Sequence, residues 1–171
     1  MSGIERKRQK MTKRVKCEEV ELNVGYENKN KEDEVFDEWN EVKKNTNKAG
    51  RMPRVKEGEV WWCAMGKNVG VEINGKSGAF SRPVLVLKKL SRFGFMGIPL
   101  TSQLHEGEWY VPFTFQMRCE IAVLAQARVM SVARLYRKIG DVTKGDMIRI
   151  KTGFGKLYLG LECGTEIKMV N

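Results

Sequence analysis

Arg82, Thr101 and Ser102 are the residues whose types and setting invite chemistry. Arg82 opens the run Arg82-Pro83-Val84-Leu85-Val86-Leu87, and Thr101-Ser102-Gln103 follows Gly97-Ile98-Pro99-Leu100. An arginine and a hydroxyl pair therefore stand at the ends of apolar strands, beside a glycine-rich stretch over 66–80. A polar group at a strand end is positioned by a rigid scaffold and still open to solvent. A guanidinium is permanently charged and forks onto two phosphate or carboxylate oxygens. A hydroxyl can hydrogen-bond the same anion or relay a proton, although it is a poor general base near neutral pH. Surface arginines are common, and taken alone the residues favour that reading of Arg82. For Thr101 and Ser102 the competing reading is a strand-end turn or helix cap.

The elements that must position these groups begin at Glu59. Val60-Trp61-Trp62-Cys63-Ala64-Met65 is aromatic and β-branched, as strands are. Gly66 to Phe80 carries four glycines and two asparagines and reads as a long loop. Pro83 to Leu87 reads as a buried strand with proline at its first position, where a missing N–H is tolerated. Further strands are expected over 92–100, 109–115 and 121–129, with a return to the sheet over 139–142. Ser131 is expected to cap a short helix over 132–138. Thr143 is expected to cap a last helix over 144–151, ended by Gly153 and Gly155. Leu157, Leu159 and Leu161 then alternate with Tyr158 and Gly160, as in a strand. Several short strands at this spacing predict a small barrel, mainly β with a few helices (α+β).

Upstream, Val35, Phe36, Trp39 and Val42 recur at helical spacing, predicting an amphipathic helix over 33–44. Asn45 to Pro53 reads as a linker. Residues 1–16 are basic and 17–38 acidic, and opposed charge blocks with few apolar residues are usually mobile. The organisation expected is a charged tail over 1–32, helix and linker over 33–53, a barrel domain over 54–151, and an atypical tail over 152–171.

The 171 residues carry a formal net charge of +10. Of this, +9 lies in residues 51–171 and only +1 in the first fifty. An excess in the folded part fits a polyanionic partner, and solubility alone would account for it about as well. Cys17, Cys63, Cys119 and Cys163 are far apart, and His105 is the only histidine. A structural zinc site needs four clustered ligands, so none is expected; no cofactor is expected either. Scattered cysteines without a signal peptide or a membrane-length apolar run point to reduced thiols and a cytoplasmic protein.

The ordered set Gly58-Glu59-Val60-Trp61-Trp62, Asn68-Val69-Gly70-Val71-Glu72, Arg82 to Leu87, Pro99 to Gln103 and Leu124-Ala125-Gln126-Ala127-Arg128 resembles the MazF/PemK family of toxin endoribonucleases from toxin–antitoxin systems. The resemblance covers about residues 56–150. It implies an SH3-like β-barrel, usually a homodimer, that cuts single-stranded RNA, often mRNA, without metal. In that chemistry the 2′-hydroxyl attacks phosphorus and leaves a 2′,3′-cyclic phosphate and a free 5′-hydroxyl. By position, Arg82 becomes the catalytic arginine and Thr101 the catalytic threonine, with Ser102 alongside. The loop over 66–81 becomes the lining and gate of the RNA channel, for which an antitoxin tail would compete. Asn68, Glu72, Lys76, Ser81, Gln103 and Arg128 are the candidate RNA-binding or gating residues. Beyond Arg149 the sequence departs from the family pattern.

Other polar residues read more plainly. Histidine is the side-chain type suited to proton transfer near neutral pH, but His105 is expected to be a solvent-exposed loop histidine. Glu72 could orient Arg82, with surface glutamate as the default. Trp61 and Trp62 must face opposite sides of a strand, with core or interface packing favoured over base stacking for both. The runner-up function is a non-catalytic binding module on the same barrel, like the gyrase-poisoning toxins, or an inactive relative.

Overall fold

The structure, a computed structural model, describes residues 31–161. Most of the charged N-terminal tail and the last ten residues, with Cys17 and Cys163, lie outside that range. The chain divides into two units, residues 1–42 and 43–171. The described chain opens in a helix over 31–48, α1, which runs four residues past the expected end. Asn45, Thr46 and Asn47 are weak helix formers, but each costs only a few tenths of a kcal/mol to about 0.7. Gly50, at φ 58°, follows the helix in the left-handed conformation that glycine adopts without strain. Val35, Trp39, Val42 and Thr46 form its less exposed stripe, at helical spacing, whereas Phe36 is exposed.

The second unit is an antiparallel sheet. Its strands are β1 (Glu59–Ala64), β2 (Ser81–Lys89), β3 (Gly94–Thr101), β4 (Tyr110–Phe115), β5 (Arg118–Val123), β6 (Arg128–Ser131) and β7 (Leu135–Asp141). Their order is β4-β5-β3-β2-β1-β7, with β6 also on β3. β5 pairs with the end of β3 and β6 with its start, so the two together flank that strand. The expected 121–129 strand is thus broken: a 3₁₀ turn, Leu124–Gln126, separates β5 from β6. The expected helix after Ser131 shrinks to one 3₁₀ turn, Val132–Arg134, which Ser131 Oγ caps by accepting the Ala133 N–H at 3.2 Å. Beyond it the chain enters β7, four residues earlier than expected.

The fold is the expected barrel type, but the hydrogen-bonded ladder does not close. β4 and β7 are the two ends of the strand path. A side chain bridges the gap, Gln116 Nε2 donating to the Ile139 carbonyl at 2.8 Å.

β2 explains the core. Leu85 and Leu87 enter one apolar cluster with Val60, Ile98, Leu100 and Ile150. Val84 and Val86 enter a second, with Cys63, Met65, Phe95 and Leu135. A strand covered on both faces must be apolar at successive positions, which is why 84–87 has no polar residue. Ser81 and Arg82 precede Pro83 in β2, so proline is third rather than first. The recorded ladder to β3 begins only at Val84↔Pro99.

The last helix, α2 (Lys144–Leu159), is twice the expected length and ends at Gly160, φ 63°. Thr143 caps it, its Oγ1 accepting the Asp146 N–H at 3.1 Å. Gly153 does not stop the helix; it lets it approach the sheet. A Cβ there would lie 2.9 Å from Val111 Cγ2 and 3.1 Å from Leu124 Cδ1. Glycine costs a helix up to about 1 kcal/mol, which the close packing of Ile150, Phe154 and Leu157 on the first cluster offsets. Leu157 packs inward and Leu159 is exposed, a helical rather than a strand alternation.

Candidate active site

A cleft of about 640 Å³ opens at the ends of β2 and β3. Arg82 near the start of β2 and Thr101 at the end of β3 stand at the same end of the sheet, each two residues beyond the Val84↔Pro99 pair. Both are buried, at 8% and 6% exposure, and both line the cleft. Arg82 Nε donates to the Asn74 carbonyl at 2.9 Å and its Nη1 to the Leu100 carbonyl at 3.3 Å. Two of five guanidinium donors are thus fixed on backbone, which orients the rest of the fork. Burial lowers the Arg82 pKa, but an arginine starts so high that it stays charged. Thr101 Oγ1 accepts the Gln103 N–H at 3.2 Å, which leaves its own O–H free to donate.

Other strands complete the lining. The β4–β5 hairpin brings Gln116, Arg118 and Glu120, and β7 brings Tyr136 and Arg137. Lys76, Arg82, Arg118 and Arg137 line the cleft together with a single carboxylate, Glu120. Burial raises the Glu120 pKa above the ordinary glutamate value, against the opposing pull of Arg118 and Lys76. A carboxylate displaced towards neutrality, in a cationic cleft, is suited to take and return a proton. Arg118 and Glu120 stand two apart in one strand and so share a face. That alternation was the signal available for them in the sequence.

The structure brings Arg82, Thr101, Ser102, Lys76 and Ser81 to the cleft, and leaves Asn68, Glu72, Gln103 and Arg128 outside its lining. Asn68 serves the loop: its N–H donates to Asn74 Oδ1 at 2.6 Å and its Nδ2 to the Ile73 carbonyl at 2.7 Å. Gln126 clamps the same loop, accepting from Ile73 N–H at 3.0 Å and donating to the Val71 carbonyl at 3.1 Å. Arg128 braces its base through the Met65 carbonyl at 3.3 Å. Glu72 acts on the charge of Arg128, and Arg82 is oriented by carbonyls instead. Gly75 is required where the loop turns back, since a Cβ there would lie 2.0 Å from the Phe80 carbonyl oxygen. His105 is exposed and stacks on Tyr110, ring centroids 4.9 Å apart, away from the cleft lining. Buried Cys63 has its thiol pushed up to about 12 by desolvation, which makes it inert.

Among the described residues, no group of three His, Cys, Asp or Glu side chains is placed to hold a metal ion. Nor, among them, is any helix long and apolar enough to cross a membrane.

Several solved structures are similar to part of this chain. MazF from Deinococcus radiodurans superposes with a TM-score of 0.50 at 16% identity, covering 65% of this chain and 99% of that one. An endoribonuclease in complex with its cognate antitoxin, from a mycobacterial species, gives 0.48 at 17% identity over 64% and 99%. The Mycobacterium tuberculosis toxin MazF-mt6 gives 0.44 at 17% identity over 54% and 97%. No curated protein matches the chain. The profile of the PemK-like, MazF-like toxins of type II toxin–antitoxin systems matches residues 56–158, well over half of the chain, and the protein belongs to that family.

Proposed function

We propose that this chain is the toxin of a type II toxin–antitoxin pair and that it cleaves single-stranded RNA at the cleft of Arg82 and Thr101. The observation that carries the reading is that these two buried side chains, at the ends of β2 and β3, line one cationic cleft that also holds Glu120. RNA is polyanionic, and its scissile phosphate gains negative charge as the 2′-oxygen attacks. Preorganised donors aimed at that charge are the largest single contribution in many such sites.

In this mechanism Glu120, as carboxylate, takes the 2′-hydroxyl proton. The 2′-oxygen bonds to phosphorus while the bond from phosphorus to the 5′-oxygen breaks. The free donors of Arg82, with the Thr101 hydroxyl, hydrogen-bond the non-bridging oxygens. The departing 5′-oxygen takes a proton from water in the open cleft. The products are a 2′,3′-cyclic phosphate and a 5′-hydroxyl, and no metal takes part. Ser102, Lys76 and Ser81, at the same lining, contact the flanking backbone. The partners are single-stranded RNA, a second copy of the chain in a homodimer, and a cognate antitoxin, in the cytoplasm.

The test is a substrate that lacks the nucleophile. An RNA cut by the protein in EDTA is remade with one 2′-deoxy sugar at the cut site. The reading expects that position to become resistant and all others to stay sensitive. Cleavage at the deoxy position would sink it.

A further inference from the structure

The cleft has a second chemical character that phosphate contacts leave unused. Trp62 and Tyr136 line it together with Phe115, Pro83 and Ile139. Trp62 is half-buried and Tyr136 is 43% exposed, so both rings show surface to the cleft. The neighbouring Trp61 donates its indole N–H to Glu59 Oε2 at 3.0 Å and packs against the second apolar cluster. No described residue supplies such a partner for the Trp62 indole N–H or the Tyr136 hydroxyl. Two large aromatic side chains are thus left part-open with free polar edges, whereas the strand phenylalanines Phe95, Phe113 and Phe115 are buried.

Their place in the sheet supplies the rest. Trp62 faces Pro83, the residue after Arg82, on one side and Arg137 on the other. A planar ring therefore lies in one cross-strand row with Arg137, and Arg82, one residue along β2 and paired with Cys63, lines the same cleft from the next position. Single-stranded nucleic acid presents that alternation: an anionic phosphate, a flat base, another phosphate. Aromatic side chains stack on unpaired bases whatever their identity, and cationic side chains follow the backbone.

We infer that Trp62 and Tyr136 form a base-stacking subsite, in which a nucleobase flanking the scissile phosphate rests between Arg82 and Arg137. The inference rests on the RNA-cleaving reading and adds to it the residues that hold the base. It makes this wall, rather than the loop over 66–80, the part of the cleft that requires an unpaired strand: a base held in a duplex cannot turn its face to Trp62. Substrate choice between single-stranded and double-stranded RNA is then decided here.

The experiment is a binding titration of the full chain with a fluorescein-labelled oligonucleotide of mixed sequence, 2′-O-methylated throughout so that it cannot be cut. Trp62→Leu and Tyr136→Leu are expected to bind roughly five- to a hundredfold more weakly, the range for loss of one base–aromatic stack. Trp62→Phe and Tyr136→Phe, which keep a ring, are expected to stay within about threefold of wild type. An oligonucleotide of the same length with abasic residues is expected to bind wild type and the leucine variants alike, since it has no base to stack. Circular dichroism and Tm establish that each variant is folded, and the phenylalanine variants carry the test if a leucine variant is not. Equal binding of wild type and leucine variants to the intact oligonucleotide overturns the subsite. So does an equal loss on the abasic one, a loss confined to binding of an antitoxin peptide, or failure of wild type to bind. Cleavage of unmodified RNA in EDTA, run alongside, separates the two readings. Cleavage without Trp62-dependent binding removes the subsite alone, and base-dependent binding without cleavage removes the nuclease alone.

Discussion

Arg82 Nη1 donates to the carbonyl of Leu100 at 3.3 Å, and Leu100 is the residue directly before Thr101. The guanidinium is therefore anchored to the strand that carries the hydroxyl, and the two groups move as one. Thr101→Val keeps the shape but removes the hydroxyl, and with it the acceptor of the Gln103 N–H. Loss of that bond is expected to cost about 1 kcal/mol of stability. RNA cleavage is expected to fall tenfold or more by the loss of one hydrogen bond to the transition state. Denaturant unfolding and single-turnover cleavage measure the two effects separately.

Glu120 sets a pH dependence. Its pKa lies above the ordinary glutamate value because burial disfavours the charged form. Proton abstraction needs the carboxylate, so kcat/KM is expected to rise with pH through that raised pKa and then level. Glu120→Gln is expected to lower the plateau by a hundredfold or more and to abolish the acid limb. A pH–rate profile of the two proteins decides it, and an unchanged acid limb in the glutamine variant would remove Glu120 from the mechanism.

The loop over 66–80 is expected to owe its order to Gln126. Gln126→Ala removes both bonds that clamp Val71 and Ile73, each worth about 0.5–1.5 kcal/mol. Hydrogen exchange at the Ile73 amide is expected to quicken about tenfold or more, while amides of β2 and β3 keep their protection. Uniform exchange changes would contradict the clamp.

Glu59 governs acid stability. Burial raises its carboxyl, but hydrogen bonds from Lys138, the Lys56 N–H and the Trp61 indole outweigh that and hold its pKa below the ordinary value. A depressed folded pKa stabilises the fold above the unfolded value, near 4.3, and that contribution is lost as pH falls through the folded pKa. Glu59→Gln is therefore expected to lower Tm at pH 7 and to narrow the difference from wild type below about pH 4. Tm measured across that window tests it.

Much of the scaffold was legible because its signals are local. The β1 and β2 segments are short, apolar and bounded by turn residues, and Ser131 and Thr143 stand as caps where the sequence placed them. The misread elements depend on distant partners. Gly153 looks like a helix stop until Val111 and Leu124 are seen against it. Leu157 and Leu159 fit a strand until Leu157 is found on the core. The site divides in the same way. Arg82 and Thr101 stand at strand ends that the sequence marks, whereas Arg118, Glu120, Tyr136 and Arg137 enter the cleft only because β5 and β7 return to it. Asn68 and Arg128 are candidate RNA-binding or gating residues in the sequence, and no local pattern shows that the carbonyls of Ile73 and Met65 occupy them.

The most direct measurement is cleavage of a long single-stranded RNA in EDTA by wild type and by Arg82→Ala, each shown to be folded. Wild type is expected to make defined cuts with cyclic phosphate ends, and the variant to cut at least about a hundredfold more slowly. Intact RNA with folded wild-type protein, or equal cleavage by both, would contradict this expectation.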